Sequence, residues 1–105
     1  MDRTVLADVD TARSLYDQVT DPTARTLLDF LIDHPDERFE GATIVDSLGL
    51  REHRDVARST YFIGQIATNL GLKRPWTESQ HGYLLPGPAA ELLREARTPA
   101  GSPTA

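Results

Sequence analysis

Residues 41–76 read GATIVDSLGLREHRDVARSTYFIGQIATNLGLKRPW, and this stretch decides the fold. Its first part, Gly41–Leu48, has apolar residues at helical spacing, and Gly49 is well placed to cap that helix in a left-handed conformation. A longer helical pattern covers His53–Leu70, and Gly71 provides its stop signal. The stretch therefore predicts a short helix followed closely by a long one.

The long helix has two chemically different faces. At 100° per residue its apolar side chains gather on one side, which carries Val56, Ile63, Ala67 and Leu70. The opposite side carries polar side chains at alternating intervals of four and three residues, namely Arg54, Arg58, Tyr61, Gln65 and Thr68. We expect Gly64 to mark a close contact with another helix, because glycine inside a helix costs about 1 kcal/mol relative to alanine.

Two further helices are predicted before this stretch. The first covers residues 2–20, where apolar residues recur at steps of three and four, and Asp10 could cap its second half. The second begins at Pro22 with Asp21 as its cap. It ends before Pro35, since a residue that precedes proline disfavours the helical conformation.

A β-hairpin is predicted after the long helix. Its two extended runs are Leu72–Trp76 and Gly82–Leu85, and the polar segment Thr77–His81 joins them. Pro75 favours an edge position for the first run. Phe39, which lies before the short helix, is predicted to be an isolated apolar anchor.

The chain ends with a predicted helix over Pro88–Arg97 and a tail over residues 98–105 that we expect to be disordered. The whole pattern predicts one domain over residues 1–97, with a core region over 21–85. The fold class is α+β, mainly α with a small β-hairpin.

Charge is distributed unevenly along the chain. The chain has 105 residues, a net charge of −5 and a pI of about 5.0, which argues against a nonspecific nucleic-acid coat protein. Residues 51–74 depart from this balance with five bases and two acids. The acidic residues elsewhere indicate solubility and steering rather than a surface that mimics DNA.

Some classes of protein are disfavoured by what the sequence lacks. It has no cysteine, which excludes disulfides, thiol catalysis and cysteine-ligated zinc. There is no apolar run of membrane-spanning length and no signal-peptide core, so we expect a soluble cytoplasmic protein without a membrane partner. His34, His53 and His81 lack ligand spacing, and phosphate-loop and nucleophile-elbow motifs are missing, so neither a metal, a cofactor nor an enzymatic activity is predicted.

Residues 24–85 resemble a winged helix-turn-helix domain. ARTLLDFLIDHP at 24–35 resembles the opening helix of such domains, and RFEGATIVDSLGL at 38–50 resembles their second helix. The long helix running through NLGLKRPW into QHGYLL resembles a recognition helix followed by a wing, and YLLPGPAAELLREAR resembles the closing part of small actinobacterial winged-helix proteins. The chain departs from the family at Glu40, which stands where a Ser or Thr cap is usual.

The resemblance implies a sequence-specific, bacterial DNA-binding regulator of transcription. In it, the long helix 53–70 would lie in the major groove of double-stranded DNA, and the hairpin 72–85 would be the wing. The helices at 2–20 and 88–97 lie outside the three-helix core of such domains. We expect them to form a homodimer, because two half-sites add affinity and specificity.

The candidate DNA-binding residues combine bases with hydrogen-bonding side chains. Arginine pairs bidentately with guanine and glutamine with adenine, and basic residues in a wing contact phosphate. The candidates are Arg51, His53, Arg54, Arg58, Tyr61, Gln65, Thr68, Lys73 and Arg74. The alternative interpretation of the same residues is an ordinary solvated surface.

Two other functions remain open. A winged-helix domain can instead be a protein-interaction module, such as an accessory subunit or an antitoxin-like partner, since fold does not fix function. An exposed apolar patch of Tyr61, Phe62 and Trp76 would favour that alternative. A small-ligand sensor with a pocket between the first and last helices would rest only on Tyr16 and Tyr83.

Overall fold

The computed structural model describes residues 4–79 and 82–97, which form five α-helices and three short β-strands. The helices are α1 Val9–Gln18, α2 Pro22–Asp33, α3 Gly41–Leu48, α4 His53–Asn69 and α5 Gly87–Arg97. The strands are β1 Arg38–Phe39, β2 Thr77–Ser79 and β3 Gly82–Leu84. Outside the described residues lie the start of the predicted 2–20 helix, His81 and the tail predicted to be disordered.

The first helix is shorter than predicted. It begins at Val9, because the side chain of Asp8 accepts a hydrogen bond from the Thr11 amide at 2.7 Å and so caps the helix there. Asp10 does not have the capping role that we predicted for it. Thr4, also predicted to be helical, is extended and forms a parallel β-bridge with Leu72.

The other helix ends follow the sequence signals. The Asp21 carboxylate accepts from the Ala24 amide at 3.0 Å, and Pro22 occupies the first turn of α2. Gly49 ends α3 in the left-handed conformation, with φ of 66°. Glu40 precedes α3 without making a side-chain cap, as expected from its departure from Ser or Thr.

The small sheet differs from the predicted hairpin. β2 and β3 pair antiparallel, with Glu78 opposite Tyr83, so the strand begins at Thr77 and not at Leu72. The prediction of a strand over Leu72–Trp76 was wrong for a physical reason. Thr4 pairs with Leu72 in a β-bridge, and the Thr4 carbonyl accepts a hydrogen bond from the Lys73 amide at 2.8 Å. Pro75, in addition, has no amide hydrogen to donate to a neighbouring strand.

A third strand completes the sheet. β1 pairs antiparallel with β3, with Phe39 opposite Tyr83, which gives the strand order β1-β3-β2. Phe39 is therefore part of the sheet rather than an isolated anchor. The sheet connects the start of α3 to the segment that follows α4.

The core is built mainly from the buried faces of α2, α4 and α5. Leu27 and Ile32 of α2, Ile63 of α4 and Leu93 of α5 are fully buried. α1 packs chiefly against α5, so both terminal helices belong to the same core as the rest. Within the described ranges, none of the helices is both long and apolar enough to cross a membrane.

Charged contacts join α5 to α2. Arg97 binds Asp33 at 2.9 Å and Asp29 at 3.4 Å, and Arg94 donates to the carbonyl of Ile32 at 3.1 Å. Helical spacing predicts that Asp29 and Asp33 lie on the outer side of α2, and Asp33 is indeed exposed while Asp29 is partly buried. α5 contributes one cation, Arg97, that pairs with both carboxylates.

Candidate nucleic-acid interface

The start of α4 is fixed by one carboxylate. Asp55 accepts from the backbone amides of Arg51 and Glu52 at 3.3 and 3.2 Å, which satisfies amides that a helix start leaves without partners. The segment between α3 and α4 is therefore held in place although it is longer than a tight turn. Arg51 and His53 are exposed at this end of the helix.

α4 separates an apolar face from a polar one, as its sequence predicts. Val56, Ile63 and Ala67 are buried against the rest of the protein. The polar candidates on this helix and in the following segment are all exposed, namely Arg51, His53, Arg54, Arg58, Tyr61, Gln65, Thr68, Lys73 and Arg74. A large partner could therefore reach every one of them without a rearrangement of the core.

The five candidate cations differ in how strongly they are held. Arg54 pairs with Glu52 at 3.1 Å and Arg74 pairs with Glu78 at 2.7 Å. Arg51, Arg58 and Lys73 have no ion-pair partner within residues 4–79 and 82–97. The uncompensated positive charge therefore lies at the two ends of α4 and on its outer face.

Arg74 is packed onto α4 rather than extended into solvent. An alanine Cβ at Gly64 would lie 2.9 Å from the Arg74 Nε, so the absence of a side chain there makes room for the guanidinium. The predicted role of Gly64 in a helix–helix contact was wrong, because an arginine from the following segment lies against it instead.

Glu78 holds two side chains of this region together. Its Oε1 accepts from Arg74 Nη1 and from Trp76 Nε1, both at 2.7 Å. Glu78 is not among the candidates that the sequence predicts, although its position four residues after Arg74 is a signal that could have identified it. Trp76 is only 4% exposed, so it is a core residue and not part of a surface patch.

Two aromatic side chains of α4 are exposed. Tyr61 is 56% and Phe62 is 39% exposed, and their ring centroids are 6.3 Å apart. The hydroxyl of Tyr61 accepts a hydrogen bond from Gln65 Nε2 at 2.9 Å. Because Trp76 is buried, the patch of three aromatic residues that would favour a protein partner does not form.

Phe62 also lines a shallow groove between α4 and the end of α1. The groove is mainly apolar and contains Val19, Asp21, Ala24, Phe62 and Ile66. It lies beside the polar stripe of α4 and shares Gln65 with it.

Tyr16, one of the two tyrosines considered for a ligand pocket, is a core residue. Its hydroxyl donates to Asp29 at 2.8 Å, and the Arg25 guanidinium lies 4.1 Å from its ring centroid. Burial, followed by the hydrogen bond to Asp29, raises the pKa of Tyr16 above its ordinary value. The tyrosine therefore links α1 to α2.

Tyr83 lies on β3 beside a polar hollow that also contains Glu40, His53 and Glu78. Among the described residues, no three His, Asp or Glu side chains are grouped closely enough to hold a metal ion. His34 packs instead against Phe30 and Phe39.

Comparisons of the chain with protein-family models, with curated proteins and with solved structures gave no match.

Proposed function

We propose that this protein is a cytoplasmic, sequence-specific DNA-binding regulator with a winged-helix fold. In this proposal α4 lies in the major groove and the β2–β3 hairpin contacts the flanking backbone. The observation that carries the proposal is the outer face of α4, which presents the unpaired Arg58 together with exposed Tyr61 and Gln65. Arginine and glutamine are the side chains best suited to read guanine and adenine in that groove.

The order of the elements supports the proposed fold. Three helices, α2 to α4, are followed by an antiparallel hairpin, and β1 adds a third strand beside β3. In a winged helix the last of the three helices reads the DNA and the hairpin flanks it. α1 and α5 are additions to this arrangement.

Charge supports the same orientation on DNA. Arg51, Arg58 and Lys73 lie in the base-rich segment 51–74, whereas the chain as a whole carries a net charge of −5. The DNA phosphates are attracted to the base-rich segment 51–74 and repelled by the acidic rest of the protein. The face that carries this segment is therefore favoured for contact with DNA.

The proposal includes dimerisation through α1 and α5, but only through the outer faces of these helices. The inner faces of these helices pack against each other within one chain, and α5 also packs against α2. A second copy would therefore have to bind their outer faces. Two α4 helices would then contact two half-sites.

A protein-interaction module is the second candidate. It is favoured by the exposed Phe62 beside its apolar groove, a combination that could accept an apolar side chain of a partner. Replacement of Phe62 by Ser would impair this function, whereas it would leave phosphate contacts unchanged.

The proposed function is tested by titration of a random-sequence duplex pool with the wild type and with a triple variant, Arg51→Ala, Arg58→Ala and Lys73→Ala. We expect the triple variant to lose most of its binding, with a salt slope about two units smaller, since Arg51 and Lys73 would each release about one counterion from phosphate while Arg58 would contact a base. The matched control is Arg13→Ala, which removes an α1 cation outside the interface. Equal binding by the triple variant and the control would overturn the proposal.

A further inference from the structure

Tyr61 and Gln65 form a hydrogen-bonded pair on the exposed face of α4. Gln65 Nε2 donates to Tyr61 Oη at 2.9 Å across one helical turn. A side-chain amide has two N–H donors and one carbonyl acceptor, so this bond leaves one N–H and the Oε1 available. The amide can offer a donor and an acceptor side by side when the N–H that is trans to Oε1 bonds Tyr61, because the N–H cis to Oε1 is then the one left available.

That remaining pattern complements one base. In the major groove, adenine presents N7 as an acceptor and N6 as a donor, and a glutamine amide satisfies both at once. Guanine presents two acceptors and cytosine one donor, so neither satisfies both groups of the amide. Because Tyr61 already restrains the side chain, less conformational entropy is lost when Gln65 binds a base.

Arg58 lies on the same face at a defined distance. It precedes Gln65 by seven residues, which is within about 20° of two full helical turns and corresponds to an axial rise of about 10.5 Å. Side chains about one turn apart on a helix in the major groove contact successive bases, so two turns correspond to about two to three base-pair steps. Arg58 has no ion pair to break within the described ranges.

Resting on the proposed function, we infer that α4 reads a half-site through two specificity-determining residues. Gln65, oriented by Tyr61, contacts an A·T pair, and Arg58 contacts a G·C pair about two to three base-pair steps away. Tyr61 is a positioning residue in this scheme. Its hydroxyl holds the amide, and its own proton remains free to be donated to a phosphate or to water.

The inference is tested by selection of binding sites from a random duplex library with the wild type and with Gln65→Glu. A carboxylate only accepts hydrogen bonds and therefore prefers cytosine N4. We expect the A·T position to change to C·G, with a preference of about 5- to 150-fold, while the G·C position stays the same. Glu95→Gln, the reverse change on the exposed face of α5, should leave the whole motif unchanged.

Tyr61→Phe separates positioning from a merely structural role. The ring and its packing remain, but the hydroxyl that accepts from Gln65 is lost. We expect the preference for A·T to fall about two- to tenfold, the effect of one hydrogen bond. The G·C position should be unaffected, whereas a structural role of Tyr61 would weaken both positions together.

Site selection distinguishes failure of the proposed function from failure of the inference alone. If the wild type selects no motif, the proposed function fails, and the inference with it. If the wild type selects a motif that Gln65→Glu changes at no position, the inference alone is overturned. If the added charge of Gln65→Glu abolishes binding, site selection with Gln65→Met tests the inference instead. A motif without preference at the A·T position supports the inference, and a motif that keeps this preference overturns it.

Discussion

Arg58 differs from Arg54 and Arg74 in having no ion pair within the described ranges. Arg54 and Arg74 are each bound to a carboxylate, at 3.1 and 2.7 Å, whereas Arg58 is exposed and has no ion pair within the described ranges. Exposed ion pairs contribute only up to about 1 kcal/mol, so phosphate could displace Glu52 from Arg54. Arg58 can bind a base without any such exchange.

Arg58→Ala should weaken binding to the best DNA site by about 1–3 kcal/mol, because it removes a bidentate contact to a base. The measurement is a titration of the selected duplex against the wild type and the variant. Arg13→Ala serves as the control for a lost surface cation. If the two variants bind that duplex equally well, Arg58 does not read a base.

Lys73→Ala should act differently, because we expect Lys73 to contact phosphate. Binding should weaken to a similar extent for all sequences, and the slope of log K against log salt should become smaller by about one unit. Titrations at several salt concentrations on one specific and one unrelated duplex measure both effects. A slope that does not change would exclude the phosphate contact.

At the scale of elements, the segment after α4 is secured at both of its ends. Thr4 pairs with Leu72 at one end, and Glu78 binds Arg74 and Trp76 at the other. Arg74 in turn lies against Gly64 of α4. Arg74 thereby connects the hairpin to the long helix.

This packing predicts a coupling between positions 64 and 74. Gly64→Ala should stabilise a helix interior by up to about 1 kcal/mol, but in the wild type the new methyl group has to displace the Arg74 guanidinium. The gain in the free energy of unfolding should therefore be larger in an Arg74→Ala background. Denaturant unfolding of the four proteins of this cycle measures it, and equal gains in both backgrounds would contradict the contact.

Helices were predictable because their signals are local. The bounds of α3 follow from its apolar spacing and from Gly49, and the start of α2 follows from Asp21 and Pro22. The second strand of the hairpin was predicted correctly, but the first was placed about five residues too early, because the pairing of Leu72 with Thr4 joins residues that are far apart in sequence. No pattern within the segment 72–85 reveals that contact.

The candidate site shows the same division between local and long-range information. The polar stripe from Arg54 to Gln65 follows from helical periodicity alone, and its exposure agrees with that periodicity. The packing of Arg74 on Gly64 does not follow from it, since it depends on the path of the chain after α4. The sequence therefore predicted which residues are exposed on the helix but not which cations are already paired.

At the scale of the whole molecule, a polar network connects α1, α2 and α5. Tyr16 donates to Asp29, and Arg97 of α5 binds both Asp29 and Asp33. The terminal helices are thus attached to the core by hydrogen bonds and ion pairs in addition to apolar packing. Residues of the two ends of the chain meet at Asp29.

The network predicts a loss of stability in alkaline solution. The pKa of Tyr16 is raised by burial and by its bond to Asp29, so the folded state retains the proton at pH values where the unfolded chain releases it. Its contribution to stability is complete below pH of about 10 and is lost as the pH rises through the raised pKa. Tyr16→Phe should therefore show a smaller loss than the wild type in denaturant unfolding across this range. Parallel losses in both proteins would contradict this account.

We propose above that the outer face of α4 reads a DNA sequence. The most direct test is selection of binding sites from a random duplex library with the purified protein at physiological salt. We expect an enriched motif that contains a G·C and an A·T pair. If two copies of the protein bind together, this motif should be repeated as a palindrome. Weak binding without enrichment, which disappears as the salt concentration rises, would contradict the claim.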